Sequence, residues 1–319
     1  MRLDAWVKAT VSAFDRYLIA NEGARLDASY SALFAQNLEH MMEEVFDVQF
    51  PEFKAKTFFP VDHKTPPASE TVAYRQFAKH GVASRGGNYS DDIKLVNVDG
   101  RKYTANVIPI KSGYEISIQD LRAAAMANVP LDAMLPAAAR HVIEQDIDQI
   151  AAFGDSDFGV EGFLNHSVIS GSIVSPDTGT WGTASPDEII ADVLKLWNSV
   201  AVATKRVHLP THLLVDSASF GYLQRRVTDT ASTIRDYLIA SLENCQDVEP
   251  WQLLDTASAG NKRIMAYSRN PIVARLDIPQ EFEQFDPQPE NLAFKVLCHA
   301  RCAGAKVFYP KAFAYMDGI

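Results

Sequence analysis

Apolar residues in the first fifty positions recur every three or four residues, which is the spacing of one face of an α-helix. Between positions 30 and 46 this stripe consists of Tyr30, Leu33, Phe34, Leu38, Met41, Met42, Val45 and Phe46. A helix of this kind packs either on the core of its own chain or on another subunit, and the spacing is the same in both cases. The pattern therefore predicts a helical N-terminal segment and leaves the surface on which it packs open.

The pattern becomes extended between residues 57 and 119. Three prolines disfavour a helix at the start of this region, and strands are predicted for residues 71–77 and for an apolar-rich run at 93–118. A glycine-containing stretch joins the two runs, which predicts a long hairpin. Its tip, at about 85–92, is too polar to fold onto a core. Because such a hairpin has no core of its own, we expect it to lie on a neighbouring subunit.

A long helix follows, after a short helical stretch that begins after Asp120 and is interrupted by Pro130. From Leu131 the apolar residues keep helical spacing as far as Gly154, a span of about 30 Å at 1.5 Å per residue. Pro136 is tolerated in a first turn or as a kink, and Gly154 suits the left-handed position that ends helices. We expect this helix to be the spine of the fold.

Helices and strands alternate after a turn-rich stretch at 154–182. Ser185, Pro186 and Glu188 form a capping box with proline at the first helical position, which predicts a helix that ends at about Thr204. The remaining predicted elements are a buried strand at 212–215, helices at 217–226 and 233–242, and strands at 263–267, 272–276, 292–300 and 306–309. This order of elements indicates an α/β or an α+β domain.

The composition excludes several classes of protein. The 319-residue chain is 47% hydrophobic, enough for a sizeable core, and its formal net charge of −10 argues against a surface that grips nucleic acid. Three cysteines (Cys245, Cys298 and Cys302) are too few for a disulfide framework. The N-terminus lacks the apolar core of a signal peptide, and no run approaches the roughly 18 apolar residues of a membrane span. The sequence therefore predicts a soluble intracellular protein without a membrane partner.

Three carboxylates surround a glycine turn at Asp155, Asp157 and Glu161. Oxygen ligands at alternate positions are typical of calcium and magnesium loops. The later ligands of a full calcium loop are absent, however, and aspartate is common in turns because it forms local hydrogen bonds. We therefore predict no metal site, and a soluble metal-dependent enzyme built on these residues remains an alternative function.

The cysteine pair and the histidine pair are also candidate metal ligands, but neither has the spacing of a metal site. Cys298 and Cys302 share one face of a predicted strand, but they are four residues apart and no second pair completes a zinc site. Buried cysteines that act as small apolar residues fit better. Pro210 separates His208 from His212, so these histidines do not share a helical face. Neither pair is predicted to bind metal.

The other polar groups are expected to form surface contacts and not a catalytic site. Lys205 with Arg206, and Arg225 with Arg226, are basic pairs for which a solvated face or an intersubunit salt bridge is expected. Three acidic residues are expected on exposed sides of the long helix: Glu144, Asp146 and Asp148. Asp216, Ser217 and Ser219 have no pattern that defines a catalytic set. The chain lacks a phosphate-binding loop, a nucleophile elbow and a dinucleotide fingerprint, so we predict no catalytic residues, no cofactor and no enzyme activity.

The order of the predicted elements resembles the major capsid protein fold of tailed double-stranded DNA bacteriophages, which encapsulin compartments share. Three local segments resemble the same family. The sequence GYEIS at 113–117, followed by LRAA at 121–124, resembles the return strand of the family's hairpin as it enters the helical region. AAFGD at 151–155, followed by GFLN at 162–165, resembles the stretch after the long helix. The ending YPKAFAY at 309–315 resembles one branch of the family.

The resemblance implies five parts of an α+β fold. They are an N-terminal helical arm at 1–56, an extended hairpin loop at 57–119, a peripheral domain with the spine helix at 120–184, an axial domain at 185–290, and closing strands at 291–319 that return to the peripheral domain. In that family the extended loop lies over an adjacent subunit, and the axial domains cluster around fivefold and sixfold axes.

The implied function is structural. Homo-pentamers and homo-hexamers close into an icosahedral shell around packaged double-stranded DNA, without sequence-specific binding, in the virion capsid and after assembly in the host cytoplasm. The acidic net charge agrees, because a lining that bound DNA tightly would hinder packaging and ejection. Expected partners are a portal protein, decoration proteins and, since the chain starts directly in the arm, a separate scaffolding protein or none. Some relatives form lysine–asparagine isopeptide bonds. Lys79 and Lys94 are available, but no partner asparagine is indicated.

An encapsulin-like compartment that encloses an enzyme cargo is the nearest alternative function. Its subunit has the same fold, so the sequence pattern alone does not separate the two. Terminase and portal genes beside the gene would indicate a phage, whereas a gene for a cargo enzyme would indicate a compartment.

Overall fold

The computed structural model of the chain describes residues 50–319, apart from 84, 86–93, 128–130, 171–172, 178, 229–230 and 259. The predicted N-terminal helical stripe and most of the predicted hairpin tip lie outside the described residues. Glu52–Ile319 form one structural unit of mixed helices and strands, as the α+β prediction requires. Among the described residues, no helix is both long and apolar enough to cross a membrane.

The predicted hairpin is present. A short helix, α1 (Ala55–Phe58), and a short strand, β1 (Val61–Asp62), lead into β2 (Thr71–His80). This strand pairs antiparallel with β3 (Asn97–Asn106) along its whole length, from Thr71 opposite Asn106 to His80 opposite Asn97. The first strand is therefore three residues longer than its apolar pattern predicts, because strand pairing continues where the side chains are exposed.

The extended run predicted at 93–118 is divided between two strands. β3 ends at Asn106, and β4 (Ile108–Ser117) leaves the hairpin to pair with a C-terminal strand. Val107 lies between them with a buried side chain, and its N–H donates to the Glu70 carbonyl at 2.9 Å, which closes the base of the hairpin. The apolar pattern is continuous across this point, so it does not show the change of partner.

The spine helix is confirmed as α3 (Leu131–Phe153), which follows α2 (Ile118–Ala127) and continues through Pro136. Its buried face carries Ala139, Ile143, Ile147, Ile150 and Ala151. Gly154 ends the helix with φ +72°, and a Cβ there would lie 2.1 Å from the Val160 carbonyl oxygen, so glycine is required. Two short strands then form a turn: β5 (Gly154–Asp155) and β6 (Val160–Glu161).

The region after the turn alternates helices and strands, as predicted. Its elements are α4 (Ser167–Ser170), α5 (Pro186–Ala203), β7 (His212–Val215), α6 (Ser217–Leu223), α7 (Ile234–Ser241), β8 (Asp247–Pro250) and β9 (Arg263–Tyr267), with a 3-10 helix at Gln252–Thr256. The capping box forms: the Glu188 N–H donates to Ser185 Oγ at 3.4 Å, and the Ser185 N–H donates to Glu188 Oε2 at 2.7 Å. The helix predicted at 217–226 ends earlier, at Leu223. β8 is missing from the prediction because its sequence, DVEP, is acidic and ends in proline.

The C-terminal part is mostly strand. It consists of β10 (Ala274–Asp277), β11 (Gln280–Gln284), β12 (Gln288–Glu290), β13 (Ala293–Cys302), β14 (Gly304–Val307) and β15 (Phe313–Asp317), with a 3-10 helix at Pro310–Ala312. β13 lies between β4 on one side and β11 and β12 on the other. β10 pairs with β1 and β14. The strands predicted at 272–276, 292–300 and 306–309 exist with shifted ends, whereas β11, β12 and β15 were not predicted.

The buried apolar residues form two clusters on opposite sides of the sheet β15–β9–β7–β8. Successive residues of a strand point to opposite faces. Met265 and Tyr267 therefore join the cluster that contains α3, whereas Ile264 and Ala266 join the cluster that contains α5. The same alternation holds in β7 and β15. This sheet is the shared wall of both cores.

Candidate functional site

The hairpin β2–β3 is attached to its own chain only near its base, among the described residues. Tyr74 stacks on Tyr103 with 5.1 Å between ring centroids, and its ring meets the Phe308 ring edge-on at 4.7 Å. Gln76 Nε2 donates to the Phe308 carbonyl at 3.4 Å, and Asn106 Nδ2 donates to the Phe158 carbonyl at 2.8 Å. These contacts fix the direction in which the hairpin leaves the subunit.

The outer half of the hairpin is exposed. Residues Phe77 to His80 and Asn97 to Gly100 are all exposed, and Phe77, at 65% exposure, covers only its cross-strand neighbour Gly100. Beyond the strands, Leu95 is 88% exposed. An isolated two-stranded ribbon is only marginally stable in water, and exposed apolar groups of this kind mark interaction sites. The hairpin therefore has the geometry of an arm that the described part of its own subunit does not support.

The two faces of the hairpin differ in chemistry. Tyr74 and Gln76 point toward the body of the subunit, so the alternate residues form the opposite, outward face. The register places Arg75 directly opposite Lys102 on that face. We call this surface the outward face; it consists of Arg75, Phe77, Lys79, Val98, Gly100 and Lys102. Neither Arg75 nor Lys102 has an ion-pair partner among the described residues, and like charges directly opposite each other destabilise a strand pair.

The charge of the hairpin is opposite to that of the chain. Residues 71–106 contain six lysines and arginines and three aspartates, a formal charge of +3, whereas the chain as a whole has −10. One of the aspartates, Asp99, lies 3.7 Å from His80 on the inward face. The outward face therefore has an uncompensated positive charge around an exposed aromatic ring, which suits an acidic protein surface.

The carboxylates at the glycine turn do not form a metal site. Asp155 Oδ1 accepts the Asp157 N–H at 2.9 Å, a local turn bond, and Glu161 faces His166 with 3.3 Å between Oε2 and Nε2. In the described part of the chain, no three side chains of His, Cys, Asp or Glu are grouped to hold a metal ion. The structure therefore gives no support to the alternative of a metal-dependent enzyme.

The cysteines are free thiols in the structure. Cys298 and Cys302 are buried on one face of β13, as the strand pattern predicts, and burial raises the pKa of Cys302 to about 12. Burial also raises the pKa of Cys245, to about 11. Thiols with pKa values this high are protonated at neutral pH and are poor nucleophiles and ligands.

The predicted histidine and basic pairs have separate local roles. Burial lowers the pKa of His212, which lies in β7 and pairs with Thr211 at 2.9 Å, whereas His208 stacks near Tyr309. Arg206 forms an ion pair with Glu243 within the chain at 2.5 Å. Arg225 lies over the Tyr222 ring at 4.6 Å. The structure does not combine these groups into one site.

The expectation that Asp148 is exposed is wrong. Its side chain is buried and accepts the Ala55 N–H at 2.8 Å, so it satisfies an otherwise unpaired donor in the first turn of α1. Burial raises the pKa of Asp148, although this hydrogen bond opposes the shift. Asp216 has a comparable role, because it caps α6 by accepting the Ser219 N–H at 2.9 Å. Glu144 is partly buried beside Lys56, and Asp146 is exposed.

The sequence does not reveal the cross-strand pair Arg75–Lys102. Their alternation with apolar residues predicts strands, but it does not fix which residue of one strand lies opposite which residue of the other. The register depends on the number of residues in the connecting loop, and here the loop is long. The like-charge pair appears only at one of the many possible registers of β2 against β3.

Comparison with known proteins gives one consistent result. No curated protein sequence matches the chain. The capsid of Myoviridae phage XM1 has a similar structure, with a TM-score of 0.80, 17% sequence identity, and coverage of 89% of this chain and 98% of that chain. A structure from Mycobacterium phage Bobi gives a TM-score of 0.62 at 15% identity, covering 92% of this chain and 99% of that one. A virus-like particle from Pyrococcus furiosus gives 0.50 at 11% identity, covering 82% and 90%.

The family model described as "Major capsid protein" matches residues 81–319, which is most of the chain. The match includes the second strand of the hairpin, the spine helix, most of both cores and the closing strands. The XM1 capsid and the phage Bobi structure share the fold over 89% and 92% of the chain. The resemblance found in the sequence is confirmed, and this chain belongs to the major capsid protein family as a structural protein of the capsid shell.

Proposed function

We propose that copies of this chain form rings of five and six subunits, and that these rings close into an icosahedral shell around double-stranded DNA. The observation that carries this proposal is the exposed outer half of the hairpin, which is long, partly apolar and without support from the described residues of its own subunit. Assembly in the host cytoplasm, a portal, a scaffolding protein and decoration proteins belong to the same proposal. The chain then acts by geometry, with no catalytic step.

The proposal includes the assignment of the five parts. Residues 57–119 are the extended loop, 120–184 with the closing strands at 291–319 form the peripheral domain, and 185–290 form the axial domain, preceded by the arm at 1–56. Two observations support this assignment. The long antiparallel pairing of β13 with β4 links residues 293–302 to the end of the extended loop. Most of the cluster around α5 comes from residues 185–290, and β15 of the closing strands also contributes to it.

Electron microscopy of the purified recombinant chain, with light scattering for the particle mass, tests the proposal. We expect closed shells, tubes, or rings of five and six. A scaffolding protein expressed from the same phage genome is added where the chain alone gives no shells. A defined dimer or tetramer under both conditions contradicts the proposed function.

An encapsulin-like compartment is the second candidate, because the Pyrococcus furiosus virus-like particle has a related fold. The contents of particles isolated from the native source separate the two. We expect nuclease-protected double-stranded DNA and no stoichiometric enzyme. Particles that hold a folded enzyme and no DNA would favour the compartment.

Deletion of residues 80–92 tests the role of the extended loop. These residues make no buried contact with the subunit among the positions described, so the variant is expected to keep its secondary structure and to melt within a few degrees of wild type. Assembly is expected to fall sharply, because the support for a neighbour is lost. Circular dichroism measures the fold, and light scattering measures assembly. Normal assembly, or failure to fold, contradicts this role.

A further inference from the structure

The strand segment at residues 280–290 is acidic and lies at an edge of its sheet. It contains Glu281, Glu283, Asp286 and Glu290 and no lysine or arginine, a formal charge of −4. β11 and β12, which make up most of this segment, pair with β13 on one side, and no strand of the described chain pairs on their other side. Residues 283–290 are all exposed. We call residues 280–290 the acidic edge.

The acidic edge is unsuited to strand addition. Pro287 and Pro289 lack the N–H groups that a neighbouring strand would need, and charged side chains further discourage pairing. Two of its carboxylates have partners within the chain, since Glu281 lies 3.7 Å from His63 and Glu290 lies 3.6 Å from Lys295, which leaves Glu283 and Asp286 for a partner. Asp286 has no ion-pair partner among the described residues, and Phe285 beside it is 45% exposed. A partner would therefore be held by ion pairs and by one aromatic ring more than by backbone hydrogen bonds.

The outward face of the hairpin has the complementary chemistry. It presents Arg75, Lys79 and Lys102 around Phe77, which is 65% exposed. The outward face from Arg75 to Lys79 spans about 13 Å, and the strand segment from Glu283 to Asp286 spans about 10 Å. Carboxylates placed between Arg75 and Lys102 would remove the repulsion of this directly opposed pair. The two surfaces are similar in length and opposite in charge, and each has one exposed aromatic ring.

We propose that the outward face of the hairpin docks on the acidic edge of a second copy of this chain. This inference rests on the proposed function and specifies which surface of the neighbour receives the extended loop. DNA is the other class of anionic partner for a basic arm. The protein surface is favoured because the outward face is partly apolar, with Phe77 and Val98 exposed, and because the chain itself carries a matching acidic surface.

A charge-swap experiment tests the docking. The hairpin reversal R75E/K102E and the edge reversal E283K/D286K are expected each to lower the assembled fraction by about tenfold or more, because like charges then face each other. The chain that carries all four substitutions is expected to regain most of the wild-type assembly. The reversal K64E/K311E, at exposed lysines outside the hairpin, is the control for a change in net charge. Circular dichroism verifies that every variant is folded.

A second combination of substitutions tests whether the hairpin docks on a different acidic surface of the neighbouring copy. The turn with the half-buried Asp155 and the exposed Asp157 is another acidic surface, so the hairpin reversal is also combined with D155K/D157K. This combination is expected to stay defective. Rescue here, or no rescue by E283K/D286K, overturns the proposal. Shells of the hairpin reversal that assemble normally but package less DNA also overturn it, in favour of a nucleic-acid role.

Zero-length carbodiimide coupling of wild-type protein provides an independent readout. A mixture of isotope-labelled and unlabelled copies is assembled, coupled and digested for mass spectrometry. We expect peptides that join Lys79 or Lys102 of one copy to Glu283 or Asp286 of another. Assembled shells with intermolecular links only at other carboxylates overturn this inference and leave the proposed function intact. Protein that forms no oligomer at all, with or without the scaffold, overturns both.

Discussion

A buried ion pair joins two strands of the sheet β1–β10–β14. Lys306 Nζ contacts Asp277 Oδ2, both side chains are almost fully buried, and Thr65 Oγ1 donates to the same oxygen at 2.9 Å. Burial lowers the pKa of Lys306, and the contact with Asp277 opposes that shift. Each charge is tolerated because the other is present, so we expect the pair to be far more sensitive to loss of one partner than an exposed pair.

Replacement of Lys306 by methionine is expected to lower the free energy of unfolding by about 3–5 kcal/mol, because it leaves the Asp277 carboxylate buried without a cation. The double variant K306M/D277N is expected to be more stable than K306M. The exposed pair Lys195–Asp177 is the matched control, and K195M is expected to cost less than about 1 kcal/mol. Chemical denaturation measures all three. Equal costs for K306M and K195M contradict the interpretation.

A second prediction concerns His166, whose ring lies between Glu161 and the interior. Burial lowers its pKa from 6.5, although Glu161 opposes the shift, and Nδ1 has no hydrogen-bond partner within the described structure. An unfolded histidine binds its proton more readily than this folded one. Stability is therefore complete above pH 6.5 and is lost as the pH falls from 6.5 through the lowered folded pKa.

Substitution of His166 by glutamine tests this pH dependence, because glutamine does not titrate. We expect the denaturation midpoint of H166Q to fall less than that of wild type between pH 7.5 and 5. Part of the dependence should remain, since the pKa of His212 is also lowered by burial. Parallel pH profiles for both proteins would show that His166 does not contribute.

Residue-level prediction from the sequence succeeded where the signal is local and failed where the partner is distant. The capping box at Ser185 and the left-handed Gly154 are determined by neighbours within a few positions, and both are confirmed. Asp148 was expected to be exposed because it lies in a charged stretch of α3. Its donor, the Ala55 N–H, is 93 positions away, and no periodicity within one helix indicates such a contact.

At the scale of elements, segments with a regular apolar pattern were predicted correctly, whereas short or irregular segments were missed. The spine helix and the strand at 212–215 have strong, uninterrupted apolar patterns, and both formed where predicted. β8, β11 and β12 are short, acidic or interrupted by proline, and none was predicted. β11 and β12 form because the long strand β13 already exists, and β8 forms against the fully buried strand β7, so tertiary pairing overrides their low intrinsic preference. The acidic edge, on which the proposed docking depends, therefore could not be predicted from its own sequence pattern.

For the whole molecule, the sheet β15–β9–β7–β8 has a consequence for stability. Each of its central strands contributes alternate residues to the cluster around α3 and to the cluster around α5. Loss of one core would expose the opposite side of the same strands to water. We therefore expect the two cores to unfold together, although they correspond to different proposed domains of the shell subunit.

Hydrogen exchange of the L196A variant tests this coupling. Leu196 is fully buried in the cluster around α5, so the substitution is expected to destabilise the subunit by about 2–5 kcal/mol. If the shared sheet couples the cores, the most protected amides of α3, on the far side of that sheet, lose the same free energy of protection as those of α5. V202A, at a 77% exposed position of the same helix, is the control and should change neither. Loss of protection in α5 alone would mean that the two cores unfold separately, and that one of them can rearrange within the shell while the other stays folded.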